Sequence, residues 1–286
     1  MTDANDRPLE ILSALGVNSP DSVAAVTGGA DTEIWRVEHD GVVSALRVMR
    51  PEQQPIAEIE RIAVAAASAV LPVPEIRAST IWNEHPAMLI EWMPGKPLLH
   101  EAITEPRNAP YWGRLLGEAQ ARLHDVAAPA GLPNVADSWL GHLNPDIPPT
   151  ATGQQLIHCD FHPLNVLVNN GKVSGVIDWS NAATGDPRLD VARTWAILEL
   201  VEITFPNMDK KSSRSVLSEF SRGWREAYEE ARGPLGPDID PFFTWGKLAT
   251  TRDLGKPARG KTSKIETIHG LGEVLSGVVE VLKVVT

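Results

Sequence analysis

Two carboxylates and an amide are spaced so that they could serve one magnesium ion and one reacting hydroxyl. They are Asp160, Asn165 and Asp178, in the stretches His158-Cys159-Asp160-Phe161-His162-Pro163-Leu164-Asn165 and Val176-Ile177-Asp178-Trp179. Mg²⁺ prefers oxygen ligands from carboxylates and amides. Phosphoryl transfer uses such an ion to neutralise phosphate charge, and it needs a carboxylate near the acceptor hydroxyl. Between the two stretches, Val166 to Val168 and Val173 to Ile177 read as strands, turned by Asn169-Asn170-Gly171. A hairpin returns the chain close to its start, so Asp178 can face Asn165 across one metal site.

The interval from Asp160 to Asn165 is five positions. That equals the interval in the kinase catalytic loop H-R-D-x-x-x-x-N, where the Asp meets the hydroxyl and the Asn holds a metal. A zinc reading of His158, Cys159 and His162 is weak, because structural zinc takes four ligands and Cys159 is the one cysteine of the chain. No Walker motif, H-E-x-x-H or G-x-S-x-G is present, so other enzyme classes lack support.

The elements that must position these residues fall into two regions. Val23 to Gly28, Ile34 to Val37 and Val42 to Val48 read as strands, with a turn at His39-Asp40-Gly41. A helix carries Ile59, Ile62, Ala63, Ala66 and Val70 at helical spacing and stops at Pro72. Ile76 to Ile81 and Ala87 to Trp92 supply two more strands, and Met93-Pro94-Gly95 breaks the pattern. Beyond it, Trp112, Leu115, Leu116, Ala119 and Leu123 form an apolar helical stripe. Ala127 to Gln155 is rich in Pro, Gly and Asn and reads as a long loop. The rest reads as helical, with breaks at Pro206, at Gly233 to Pro241 and at Gly255 to Gly260. A last helix opens at Ser263 and Glu266 with the spacing of a capping box. The expectation is an α+β, protein-kinase-like two-lobe fold. Residues 1–93 form a small antiparallel-sheet nucleotide-binding lobe, and residues 94–286 form a larger, mainly helical catalytic and substrate-binding lobe. A cleft between the lobes is the expected site.

Composition bounds the partners. The net charge of −11 argues against general nucleic-acid binding and favours cationic partners. The most apolar run, Ile62 to Val73, is too short to span a membrane. A lone cysteine allows no intrachain disulfide and suits a reducing cytoplasm. The basic residues Arg252, Lys256, Arg259, Lys261 and Lys264 read as a solvated loop, or as a sign of an anionic acceptor if they lie near the site.

The joint pattern resembles the aminoglycoside phosphotransferase and choline kinase superfamily, whose signature is H-G-D-x-H-x-x-N, then I-D-W or I-D-F, then G-D-P-x-x-D. Here the three read His158 to Asn165, Ile177-Asp178-Trp179 and Gly185-Asp186-Pro187-Arg188-Leu189-Asp190. Leu71-Pro72-Val73-Pro74, Leu89 to Gly95 and Ala121-Arg122-Leu123-His124 agree in position and order, so the resemblance covers roughly residues 25 to 200. It implies an ATP- or GTP-dependent O-phosphotransferase using Mg²⁺. Asp160 would be its catalytic base or substrate-orienting carboxylate, and Asn165 and Asp178 its metal ligands. It further implies a nucleotide-covering hairpin at Gly28-Gly29, an adenine hinge along the backbone of Glu91, Trp92 and Met93, and a phosphate-clamping cation at Arg47. That cation's helix partner would be Glu60, with Glu58 the alternative. Trp179 would line the acceptor pocket, and Asp186 and Asp190 would either meet the acceptor or cap a helix and brace the loop. Three features depart from the family pattern: Arg47 replaces the usual lysine, Cys159 replaces the common glycine, and the span from His124 to His158 is short. The expected acceptor is a small hydroxylated compound, of the aminoglycoside or amino-alcohol kind. A nucleotide-binding module without turnover is the competing reading. A protein kinase is disfavoured because no A-P-E motif follows Asp178.

Overall fold

The computed structural model describes residues 7–26, 32–200 and 208–255. The expected turn at Gly28-Gly29, the break at Pro206, the lysines from Lys256 onward and the last helix lie outside the described residues. Two compact units are present. The first takes residues up to Glu58, Pro74–Trp92 and the chain from Leu254; the second takes Ile59–Val73 and Met93–Asp253.

The first unit opens on a helix that the strand-dominated reading of this region missed, α1 (Arg7–Ala14). Its Ile11 and Leu12 are fully buried against Val37, Leu46, Val48, Ala87 and Leu89 of a sheet. That sheet has five antiparallel strands in the order β1-β2-β3-β5-β4: β1 (Ser22–Val26), β2 (Glu33–His39), β3 (Val42–Val48), β4 (Ile76–Trp82) and β5 (His85–Glu91). Strand β5 reads Pro86 to Ile90 without a break in burial, because it lies between β3 and β4 and is covered on both faces. Helix α2 (Gln54–Ala67) follows β3, and the boundary between the units falls within it. Its C-terminal part belongs with the second unit in space. Ile62 approaches the loop at Gly131, and the Pro72 carbonyl accepts from the Val176 N–H at 2.8 Å.

The second unit is mainly helical. It contains β6 (Lys96–Pro97), α3 (Leu98–Thr104), α4 (Ala109–Leu123), α5 (Trp139–Leu143), β7 (Gln155–Ile157), β8 (Val166–Asn169), β9 (Lys172–Val176), β10 (Ala183–Gly185), α6 (Pro187–Leu200), α7 (Lys210–Arg232) and α8 (Asp240–Leu254). Short strands pair as β6-β8-β9 and as β7-β10. The stretch read as one long loop from Ala127 to Gln155 thus contains a helix. Ser138 caps α5 through its hydroxyl, and Leu140 and Leu143 bury into a core with Ile157, Leu189, Phe242 and Trp245. Sequence periodicity could not show it because α5 is only five residues long.

Helices α4 and α7 meet backbone to backbone. A Cβ built on Gly113 would lie 1.9 Å from the Phe220 carbonyl oxygen, and one on Gly117 would lie 2.2 Å from that of Trp224. Both oxygens belong to the backbone, so the helices themselves would have to part. Gly117→Ala is therefore expected to destabilise the fold by about 1–3 kcal/mol, the usual cost of overpacking. Urea unfolding measures this directly, and an unchanged midpoint would refute the close contact.

Candidate active site

The loop from His158 to Asn165 lies between β7 and β8, and the hairpin β8-β9 carries the chain back to it. Asn170 and Gly171 turn the hairpin with φ of 50° and 73°, as a two-residue type I′ turn requires. At its open end the Ile177 N–H donates to the Asn165 carbonyl at 2.9 Å, so Asp178 emerges beside Asn165. The Asn165 amide Nδ2 donates to the Asp160 carbonyl at 3.0 Å. Among the described residues its Oδ1 accepts no hydrogen bond. Ser180 donates its hydroxyl to Asp178 Oδ1 at 2.7 Å.

The Asp160 carboxylate is a fifth exposed, and each oxygen faces one group. Oδ2 lies 3.5 Å from His162 Nε2, and Oδ1 lies 3.6 Å from Arg193 Nη2. Burial would push this carboxyl up, but His162 and the Arg193 charge together hold it well below the usual range. It is therefore ionised at neutral pH and a weak proton acceptor in the ground state. Neither contact is a short hydrogen bond, so both oxygens keep lone-pair capacity toward an incoming hydroxyl.

Beneath the loop sits a fully buried polar network. Asp190 on α6 accepts from the Cys159 N–H at 2.7 Å, from His124 Nε2 at 3.1 Å and from Gln120 Nε2 at 3.3 Å. Gln120 also donates to Thr194 and accepts from Trp224, and Thr194 donates to the Phe161 carbonyl at 2.7 Å. Burial pushes the Asp190 carboxyl up, but the hydrogen bond and charge of His124 outweigh it, so Asp190 stays ionised. His158 is buried and kept neutral by desolvation. Its Nε2–H donates to the Ile177 carbonyl at 3.1 Å, and its ring lies against Phe161 and Trp179.

Of the three residues weighed for the acceptor, Trp179 is reassigned, and Asp186 and Asp190 take the capping and bracing alternative. Trp179 is 0% exposed and its indole N–H bonds the Val176 carbonyl, so it is core. Asp190 is equally buried and braces the loop. Asp186 caps α6 through the Arg188 N–H at 3.0 Å and holds the Thr152 and Gly153 N–H groups with its other oxygen. Of the basic residues, Arg252 is committed to the C-terminal end of α5. It donates to the Leu143 carbonyl and to Asn144 Oδ1, and it is not part of a loose solvated loop.

Cys159 departs from the family's glycine at a position with φ of 65°, and Asp178 has φ of 62°. Left-handed backbone at a non-glycine residue costs on the order of 1–3 kcal/mol and clusters at functional sites. The glycine of the family pattern suits this turn; here the Asp190 bond to the Cys159 N–H holds a cysteine in it.

Within the first unit, Arg47 lies on β3 opposite Ile34 and Met88. Glu91 ends β5, and the Trp92 N–H donates to the Val43 carbonyl. Glu60 lies on α2 and is buried, which for a carboxylate calls for a compensating partner. Among the described residues no helix is long and apolar enough to cross a membrane.

Fold and loop together bring the carboxylates and the amide into the arrangement that phosphoryl transfer needs. The profile of the phosphotransferase enzyme family matches residues 22–142 and 132–238, and the chain belongs to that family. Hygromycin-B 4-O-kinase from Escherichia coli is 49% identical over 39 residues, a match spanning 14% of this chain and 11% of that relative's length. A solved macrolide 2′-phosphotransferase from Brachybacterium faecium is 22% identical, with 93% of this chain and 97% of that chain covered at a TM-score of 0.61. A thermostable mutant of the aminoglycoside phosphotransferase APH(4)-Ia, solved with AMP-PNP and hygromycin B, is 16% identical, with 96% and 95% covered at a TM-score of 0.63.

Proposed function

We propose that this protein transfers the γ-phosphoryl group of ATP or GTP to a hydroxyl of a small cationic acceptor, an aminoglycoside-like antibiotic or an amino-alcohol metabolite. The observation that carries the reading is the convergence of Asp160, Asn165 and Asp178 through the Asn165–Asp160 and Ile177–Asn165 hydrogen bonds. The donor set fits magnesium: an uncommitted amide oxygen at Asn165 and a carboxylate at Asp178 are hard oxygen ligands, leaving positions for phosphate and water. When bound there, the ion would neutralise the phosphate oxygens. Asp160 orients the acceptor hydroxyl and receives its proton as the bond to phosphorus forms. Its low basicity favours orientation over early proton removal, as a loose phosphoryl-transfer transition state requires. Arg47 supplies the cation that meets the nucleotide phosphates, its fork suiting two oxygens at once. The hinge is the backbone of Glu91, Trp92 and Met93. A reducing cytoplasm, where nucleotide triphosphates are held, suits the single buried cysteine.

The cationic acceptor rests on the acidic balance of the chain and on the relatives that take aminoglycosides. Coupled ADP release over hydroxylated amines, macrolides and sugars, with ATP and with GTP, tests it. Amine acceptors are expected to be turned over, and their KM to rise with salt as exposed ion pairs are screened. Efficient phosphorylation of a neutral or anionic acceptor, with every amine inert, would overturn the acceptor class and leave the kinase in place.

A further inference from the structure

Helix α6 buries three polar side chains among its eight buried residues, Asp190, Arg193 and Thr194, and the arginine lies three residues after Asp190. Arg193 is 3% exposed. Its Nη1 donates to the Thr250 hydroxyl at 2.8 Å and its Nη2 to Asp253 Oδ2 at 2.7 Å, both on α8. The guanidinium lies 5.4 Å from the centre of the Trp139 ring. Its remaining reach is toward Asp160 Oδ1, 3.6 Å from Nη2. A buried arginine is costly unless its charge is used, and among the described residues its Nε–H has no hydrogen-bond partner.

From this arrangement we infer that Arg193 is a positioning residue for Asp160: α8 and Trp139 hold the guanidinium rigid, and its charge holds the Asp160 carboxylate facing the acceptor. The inference rests on the reading of Asp160 as the acceptor-facing carboxylate. The 3.6 Å separation is the informative distance. A direct bidentate pair would consume both carboxylate oxygens, whereas a locked cation one step back fixes the carboxylate and leaves its oxygens open. Asp253 completes the device, because without it Nη2 is free to swing onto Asp160 and occupy it. Sequence spacing alone does not expose this link, since 33 positions separate Asp160 from Arg193 and 60 separate Arg193 from Asp253.

The test uses Arg193→Gln, Arg193→Lys, Asp160→Asn and the double variant Asp160→Asn/Arg193→Gln. Each is assayed by ADP release from Mg-ATP with water as the acceptor, and each is checked by thermal melting. Arg193→Gln is expected to lower kcat about 10²-fold, the scale of one lost preorganised charge, with little change in KM for ATP. Arg193→Lys should recover part of that loss, and guanidinium chloride below denaturing concentrations should rescue Arg193→Gln. In the double variant the loss should equal that of Asp160→Asn alone, because the two act as a unit. The crystal structure of Arg193→Gln, or of Arg193→Lys if the former does not fold, should show the Asp160 carboxylate turned from its present rotamer. Full kcat in Arg193→Gln with Asp160→Asn inactive, multiplying losses in the double variant, or an unmoved Asp160 carboxylate would each overturn the inference alone. Full turnover in Asp160→Asn would instead remove the underlying reading of Asp160, and the inference with it.

Discussion

Asp160→Asn is expected to lose about 10³–10⁴ in turnover, the upper range for a carboxylate that handles the reacting proton, while nucleotide affinity stays near that of the parent. Asparagine keeps the shape of the side chain and can still lie between His162 and Arg193. It cannot accept the hydroxyl proton, and its amide nitrogen would offer a donor where the hydroxyl brings its own. Asn165 touches the Asp160 backbone carbonyl, which the substitution leaves in place, so the loop should keep its path. Calorimetry gives the nucleotide affinity, and ADP release with any working acceptor gives the turnover. Near-parental turnover would sink the assignment, and loss of nucleotide binding would show that the substitution disturbed the loop.

The second large effect is on metal-dependent nucleotide binding. Asn165→Ala and Asp178→Asn should each abolish the tightening of nucleotide binding that Mg²⁺ produces in the parent protein. Asp178 is changed to asparagine because its φ of 62° is tolerated by asparagine and strained for alanine. The Asn165 substitution removes the free Oδ1 together with the Nδ2 bond to the Asp160 carbonyl. Its effect therefore combines a lost ligand with a loosened loop. Titrating Mg²⁺ into each protein with nucleotide separates them: Asp178→Asn should lose the metal dependence with its thermal melt intact, and Asn165→Ala should lose both. Equal Mg²⁺ enhancement in parent and both variants would place the metal elsewhere.

Much of the site was legible in the sequence because it is local. The interval from Asp160 to Asn165 spans one loop, and Asn169-Asn170-Gly171 admits one kind of turn, so the return of Asp178 to Asn165 follows from hairpin geometry. The sheet strands were equally readable from alternation and turn residues. Helix α5 was not, since five residues give no periodic signal. Nor was the fate of Trp179, whose type fits an acceptor pocket and which only packing shows to be core; for Asp186 and Asp190 packing decides between the acceptor and the capping and bracing that the sequence also allowed.

What the sequence by itself determined was the chemistry available and the local order of its parts: the carboxylates and amide, the turn, and the run of strands before helices. What the tertiary structure decided was which charges meet. Arg193 reaches Asp160 across 33 residues and Asp253 across 60, and His124 reaches Asp190 across 66. Such pairings depend on how α4, α6 and α8 pack, because the energy of a buried charge is set by neighbours a few ångströms away in space and not by its neighbours along the chain.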